Sequence, residues 1–160
     1  SLMNIQSPIN QTINAMKVKE ILRNKGSAIY STNPDEMVYD AIKKMSELKI
    51  GALLVLDDDK LVGILSERDY RDKVILQGRQ SKNTPVKDIM SSQVFCVNSS
   101  DDVQLCMKLM TIKKIRHLPV LDDGQLLGVI SIGDVVKSVI DKQKVEIDEL
   151  RSYIGGSYPQ

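Results

Sequence analysis

One stretch of this chain is written twice. Ile29-Tyr-Ser-Thr-Asn-Pro34 is answered by Val94-Phe-Cys-Val-Asn-Ser99, and Ile50-Gly-Ala-Leu-Leu-Val55 by Ile115-Arg-His-Leu-Pro-Val120. Gly63-Ile-Leu-Ser-Glu-Arg-Asp69 is answered by Gly128-Val-Ile-Ser-Ile-Gly-Asp134. All three pairs keep one offset of 65 residues, with no gap between them. Self-similarity held that strictly means two copies of one structural unit, and it makes their meeting place the first place to look for a ligand. A unit of about 65 residues has a marginal core on its own. Within 160 residues the copies are therefore expected to pack together as one module with a shared core.

Each copy carries the same succession of local signals. Val18, Ile21 and Leu22 are spaced for a short helical turn, and Val86, Ile89 and Met90 match them at an offset of 68. The difference reads as a loop three residues longer around Asn24-Lys25-Gly26. After Pro34, an apolar stripe of helical period runs through Val38, Ala41, Ile42, Met45 and Leu48. Val103, Cys106, Leu109 and Met110 repeat it, ending on Lys113 and Lys114. Apolar stretches on either side of a short acidic turn, Asp57–Lys60 or Asp122–Gln125, predict a β-hairpin with buried strands. Ser66 or Ser131 then opens another helix.

The predicted unit is turn, short strand, helix, strand, strand, helix, which is an α+β class. The boundaries are an N-terminal arm over 1–15, a first motif over 16–77, a polar linker over 78–85, a second motif over 86–140 and a C-terminal extension over 141–160. The last helix is expected to run on through Leu150 until Gly155-Gly156 stops it. Ser1-Leu2 before Met3 reads as a cloning remnant, with Met3 as the native start.

Charge narrows the function classes. Lys and Arg number 22 against 21 Asp and Glu, so there is no basic face of the kind a nucleic-acid footprint needs. Aromatic residues make up 4% of the chain and Trp is absent, which leaves few platforms for stacking bases. No run approaches the ~18 apolar residues of a membrane span, and no signal-peptide pattern opens the chain. The expected compartment is the cytoplasm. Cys96 and Cys106 align with Ser31 and Ala41, and both are expected to be small buried residues rather than a metal pair. The Asp57-Asp58-Asp59 run is too short for a calcium loop.

Chemistry concentrates at Ser66-Glu67-Arg68-Asp69 and Ser131-Ile132-Gly133-Asp134. Ser-x-x-Asp is close to a capping box, in which Ser caps a helix and the acid three residues on answers it. Such a helix start also offers N–H groups to an anion, and a carboxylate there can accept hydrogen bonds from ribose hydroxyls. The two uses are compatible.

With its G-h-h-S-x-x-D ending and its I-x-x-L-P-V strand, the repeated unit resembles a tandem pair of CBS domains, the regulatory domains named after cystathionine β-synthase. The resemblance covers residues 16–140. It implies a Bateman module: two motifs packed sheet to sheet in pseudo-two-fold symmetry, with two clefts for adenosine derivatives such as AMP, ATP, NAD(H) or S-adenosylmethionine. It also implies pairing into a homodimer.

By the same resemblance, Asp69 and Asp134 hold ribose hydroxyls, and Ser66 and Ser131 lie near ribose or phosphate. Thr32-Asn33 and Val97-Asn98 supply polar contacts. Ile50, Gly51 and Ala52, with Ile115, Arg116 and His117, line the adenine slots. One cleft then joins Asp134 with Asn33 and Gly51, and its twin joins Asp69 with Asn98 and Arg116. Arg68 has Gly133 as its counterpart and Arg116 has Gly51, so both arginines fall at the Asp69 cleft. That makes it the better phosphate site. At the Asp134 cleft, charge is left to Lys113, Lys114 or His117. In the first copy Gly51-Ala52-Leu53-Leu54 departs from the usual Leu-Pro pattern.

The resulting expectation is a sensor without catalysis, in which a bound adenine nucleotide, AMP foremost, shifts the angle between the copies or the dimer packing and signals to a separate protein. The alternative is a structural dimerisation module with vestigial clefts. His117 is the only histidine, and no nucleophile–base pair or metal cluster can be assembled around it.

Overall fold

The computed structural model describes Ile13 and residues 16–26 and 28–156. The expected arm over 1–15 therefore lies, apart from Ile13, outside the described residues, as do the last four residues of the tail. In chain order the elements are α1 (Val18–Lys25), β1 (Ser31–Thr32), α2 (Val38–Leu48), β2 (Ala52–Asp57), β3 (Lys60–Ser66) and α3 (Glu67–Tyr70). A wider π turn over Arg71–Ile75 continues α3, and two 3-10 turns follow at Ser81–Asn83 and Val86–Asp88. The second copy supplies α4 (Val103–Lys113), β4 (His117–Asp122), β5 (Gln125–Ser131) and α5 (Ile132–Gly156).

The α+β architecture follows the predicted order. β1 lies parallel to β2, with Ser31 beside Leu54 and Thr32 beside Val55, and β2 pairs antiparallel with β3. β4 and β5 form the matching antiparallel pair, while a single parallel bridge from Val97 to Val120 stands where β1 stands in the first copy. Both hairpins turn on two residues of positive φ, Asp58 and Asp59 in one and Asp123 and Gly124 in the other. That geometry matches the right-handed twist of the strands it joins.

Strand alternation sends Leu53, Val55 and Leu65 toward the helices of the first copy, and Leu118, Val120 and Ile130 toward those of the second. Leu54 and Pro119, on the opposite strand faces, are buried as well, as a seam between two sheets requires. On α2 the buried positions are Val38, Ala41 and Met45, with Ile42 half-buried behind them, so the helical stripe is the core face.

The copies do not keep their entry segments to themselves. Met16, Val18 and Ile21 precede the first hairpin yet are buried in the core of the second copy. Val86 and Ile89 precede the second hairpin yet are buried in the core of the first. Backbone hydrogen bonds clasp the exchange symmetrically. The N–H of Val18 donates to the Asp101 carbonyl (3.0 Å) and that of Val103 to the Met16 carbonyl (3.0 Å). The N–H of Val86 donates to the Glu36 carbonyl (2.8 Å) and that of Val38 to the Thr84 carbonyl (2.8 Å).

The linker over 78–85 is consequently structural: Thr84 is buried, and its hydroxyl donates to the Gln80 carbonyl at 2.7 Å. The three extra residues in the first copy are not a loop. They lengthen α1 to Lys25, where its counterpart is a single 3-10 turn, and Gly26 at φ 94° ends the helix.

Candidate functional site

β3 and β5 each end on a serine that caps the next helix. The Ser66 hydroxyl accepts from the Asp69 N–H (3.2 Å), and Asp69 Oδ2 accepts from the Ser66 N–H (3.0 Å) and from its hydroxyl (3.1 Å). At the other end, Ser131 Oγ accepts from the Asp134 N–H (3.1 Å), and Asp134 Oδ2 accepts from the Ser131 N–H (2.8 Å). Each cap fixes its carboxylate at the mouth of a cleft where one copy faces the other.

The first cleft encloses about 930 Å³. Ser66, Arg68 and Asp69 of one copy face Ile115, Arg116 and His117 of the other, with Arg71 and Lys73 adding positive charge. Asp69 is buried, and its second oxygen lies 3.0 Å from Lys73 Nζ and 3.4 Å from Ser91 Oγ. Its four neighbours match the roughly four lone-pair sites of a carboxylate. Arg68 donates to the Lys114 carbonyl across the cleft at 2.5 Å. The Arg116 guanidinium has no hydrogen bond or ion pair among the described residues, so its fork of donors is available to an anion.

The second cleft is smaller, about 330 Å³, and joins Ser131 and Asp134 with Ile50, Gly51 and Ala52. Lys25 reaches into it from the lengthened α1, donating to Asp134 Oδ2 at 2.7 Å and to the Val129 carbonyl at 2.5 Å. Burial pushes the Asp134 carboxyl up. The hydrogen bond and charge of Lys25, with the Ser131 donors, outweigh that and hold it below the ordinary carboxylate value. Asp134 Oδ1 accepts no hydrogen bond among the described residues.

Gly51 and His117 line both clefts and form their common wall. A methyl group placed on Gly51 would stand 3.4 Å from His117 Cε1, in van der Waals contact with the ring across this wall. Burial lowers the His117 pKa, and the nearby charge of Lys25 lowers it further, with Arg116 and Arg68 adding to the effect against Asp134. The imidazole is neutral at pH 7.

Of the residues singled out from sequence, four stand away from the clefts. The buried Thr32 hydroxyl donates to the Glu36 carboxylate, and Asn33 Oδ1 accepts from the N–H groups of Asp35 and Glu36. Val97 is in the second core, and Asn98 Oδ1 accepts from the N–H and hydroxyl of Ser100. The expected pairings of Asn33 with Asp134 and Asn98 with Asp69 are thereby corrected.

The reason is strand direction. β2 and β4 start at the clefts and run away from them, so a parallel neighbour enters at the cleft and has left it by the asparagine. Ala28 and Tyr30, or Val94 and Phe95, take those places on the cleft walls. Lys113 and Lys114 also fall outside the second cleft: Lys113 lies over the Phe95 ring at 5.0 Å. Lys25 and Lys49 supply its charge instead.

Two of the missed residues had a trace in the sequence. Lys25 lies in the three-residue difference between the copies, and Lys73 sits one helical turn beyond Asp69. Ser91, reached only through the exchanged entry segment, had none. The cysteines divide: Cys106 is buried, with its thiol pushed up to about 11 chiefly by burial, whereas Cys96 is exposed, against expectation. No group of three His, Cys, Asp or Glu among the described residues is placed to hold a metal.

The family model for the CBS domain matches residues 15–75 and again 86–141. The chain is 39% identical over 150 residues to the mitochondrial CBS domain-containing protein CBSX3 of Arabidopsis thaliana, covering 88% of this chain and 73% of that one. Among solved structures, a protein with CBS domains from Burkholderia ambifaria superposes with a TM-score of 0.78 at 52% identity, covering 80% of this chain and 96% of that one. A CBS-domain containing protein from Agrobacterium tumefaciens gives 0.74 at 36% identity, over 77% and 98% of the two chains. The chain belongs to the CBS-domain family and carries its domain as a tandem pair.

Proposed function

We propose that this CBS pair is a non-catalytic sensor of an adenine nucleotide, AMP foremost, with ATP, NAD(H) and S-adenosylmethionine as the other ligands to test. One observation carries the reading. The first cleft sets a buried acid of one copy opposite an uncommitted arginine of the other, with Arg68, Arg71 and Lys73 around them. A nucleotide monophosphate has the matching chemistry: hydroxyls that donate to a carboxylate, a phosphate that accepts from guanidinium, and a flat base for the slot between Ile115 and Gly51. Such a ligand touches both copies, so it stabilises whichever relative arrangement of the copies it fits best. A protein partner reads that arrangement, as part of the same proposal, and the pair works in the cytoplasm as a homodimer. Among the described residues no helix is long and apolar enough to cross a membrane.

A second reading, a structural module with vestigial clefts, is favoured by the full set of partners around Asp69. A ligand there has to displace the long Ser91 contact or share the Lys73 ion pair. A thermal-shift panel of AMP, ATP, NAD(H), S-adenosylmethionine and a short oligonucleotide separates the two. A nucleotide at 100 times its Kd should add about 2.7 kcal/mol, and Arg116→Gly should remove at least about half of that gain without lowering the unliganded Tm. No shift with any nucleotide favours the structural module.

A further inference from the structure

The family match ends at residue 141, but α5 continues to Gly156. Its first half is anchored, with Val135, Ser138 and Val139 buried against the second copy. From Lys144 to Gly155 every residue is exposed. That segment is about 18 Å long at 1.5 Å per residue. A helix this short has little stability in water by itself, and it exposes Ile147, Leu150 and Ile154.

These residues fall in one seam. Ile140, Ile147 and Ile154 are seven apart, and Val136, Gln143 and Leu150 are seven apart, interleaved at alternating spacings of four and three. This is the a and d pattern of a coiled coil, with Ile at a and Leu or Val at d around one polar d position, Gln143. The apolar members of the seam are between 48% and 59% exposed. At 100° per residue the stripe lies roughly 100° around the helix from the face that packs on the module, which leaves room for another helix alongside. Val145 is exposed but falls outside the stripe.

We infer that α5 forms a parallel two-stranded coiled coil with α5 of a second copy of this chain. Charge selects both the occupant and its direction. The e positions are Lys137, Lys144 and Arg151, all basic, and the g position of the central heptad is Glu146. An antiparallel pair faces e with e, setting base against base. A parallel pair faces g with the e position five residues on, which brings Glu146 beside Arg151 of the second copy. The seam starts within the second CBS motif, at Val136 and Ile140, and continues past its end at residue 141; it is independent of nucleotide binding.

Position-specific cross-linking in the full chain tests it, since a dimer formed through the module's body gives the same mass. In a Cys96→Ser background, with Cys106 buried, Ile147→Cys and Leu150→Cys should oxidise to disulfide dimers at least tenfold faster than Val145→Cys. Arg151→Glu should slow that cross-linking severalfold, and adding Glu146→Arg should restore it. Cross-linking at 147 and 150 no faster than at 145, or a chain that sediments as a monomer, overturns the inference. So does cross-linking that Arg151→Glu leaves unchanged, because the parallel direction rests on that charge.

Discussion

Glycines at one repeat position show how local the constraints are. Gly63 and Gly128 correspond, yet a methyl group on Gly63 would lie 2.7 Å from Met90 Sδ and 3.1 Å from the Ser91 carbonyl oxygen. On Gly128 it would meet one movable atom, Leu22 Cδ2, at 3.0 Å. Gly63→Ala should therefore cost about 1–3 kcal/mol, as overpacking does, and Gly128→Ala clearly less, by urea denaturation. His117 gives a second test. Its pKa is depressed in the folded protein, so the unfolded chain binds more protons in that range and stability rises with pH. The contribution is complete above the unfolded value near 6.5 and is lost as pH falls toward the folded value. As the only histidine, it should account for most of the fall in Tm between pH 7.5 and 5.5, and His117→Gln should flatten that slope. At this scale the acids at the helix starts were legible, because Ser-x-x-Asp writes its geometry into four consecutive residues. The asparagines were misplaced because an Asn in a turn looks the same whether it serves the backbone or a ligand.

Helices and hairpins were the most legible level, because apolar periods of 3.6 and short acidic turns are local signals. α2 and α4 show a feature that composition conceals: each ends on a lysine in the left-handed conformation, Lys49 at φ 55° and Lys114 at φ 53°. A side chain there costs about 1–2 kcal/mol per residue, which glycine avoids. Lys114→Gly should raise the melting temperature, a net gain of about 0.5–1 kcal/mol after the entropy of the unfolded glycine is counted. Arg68 bonds only the carbonyl of this residue, so its contact survives the change. A fall in Tm would mean that the lysine side chain stabilises the cap. α1 was misread because a three-residue offset difference does not say whether the extra residues coil or lengthen a helix. Tertiary packing on the second core settled that in favour of the helix, and so carried Lys25 to Asp134.

For the molecule as a whole, the exchange of entry segments matters most. It was illegible because nothing in either copy says which core its first helix joins. The repeat as written in sequence and the unit as packed in space differ by one segment. Residues 16–77 alone lack Val86 and Ile89, and residues 86–141 alone lack Val18 and Ile21. Neither fragment should fold by itself, and the full chain should melt in one calorimetric transition; two resolved transitions would show that the clasps contribute little.

The same interlocking makes the clefts sensitive to the angle between the copies, since each is walled by both. The nucleotide site is tested by calorimetric titration of AMP into the wild-type protein and into Arg116→Gly. The wild type should bind saturably and the variant at least tenfold more weakly, about 1.4 kcal/mol, with the unliganded Tm unchanged. Binding that ignores Arg116, or no heat with AMP, ATP, NAD(H) or S-adenosylmethionine, would rule out a nucleotide site built on that arginine.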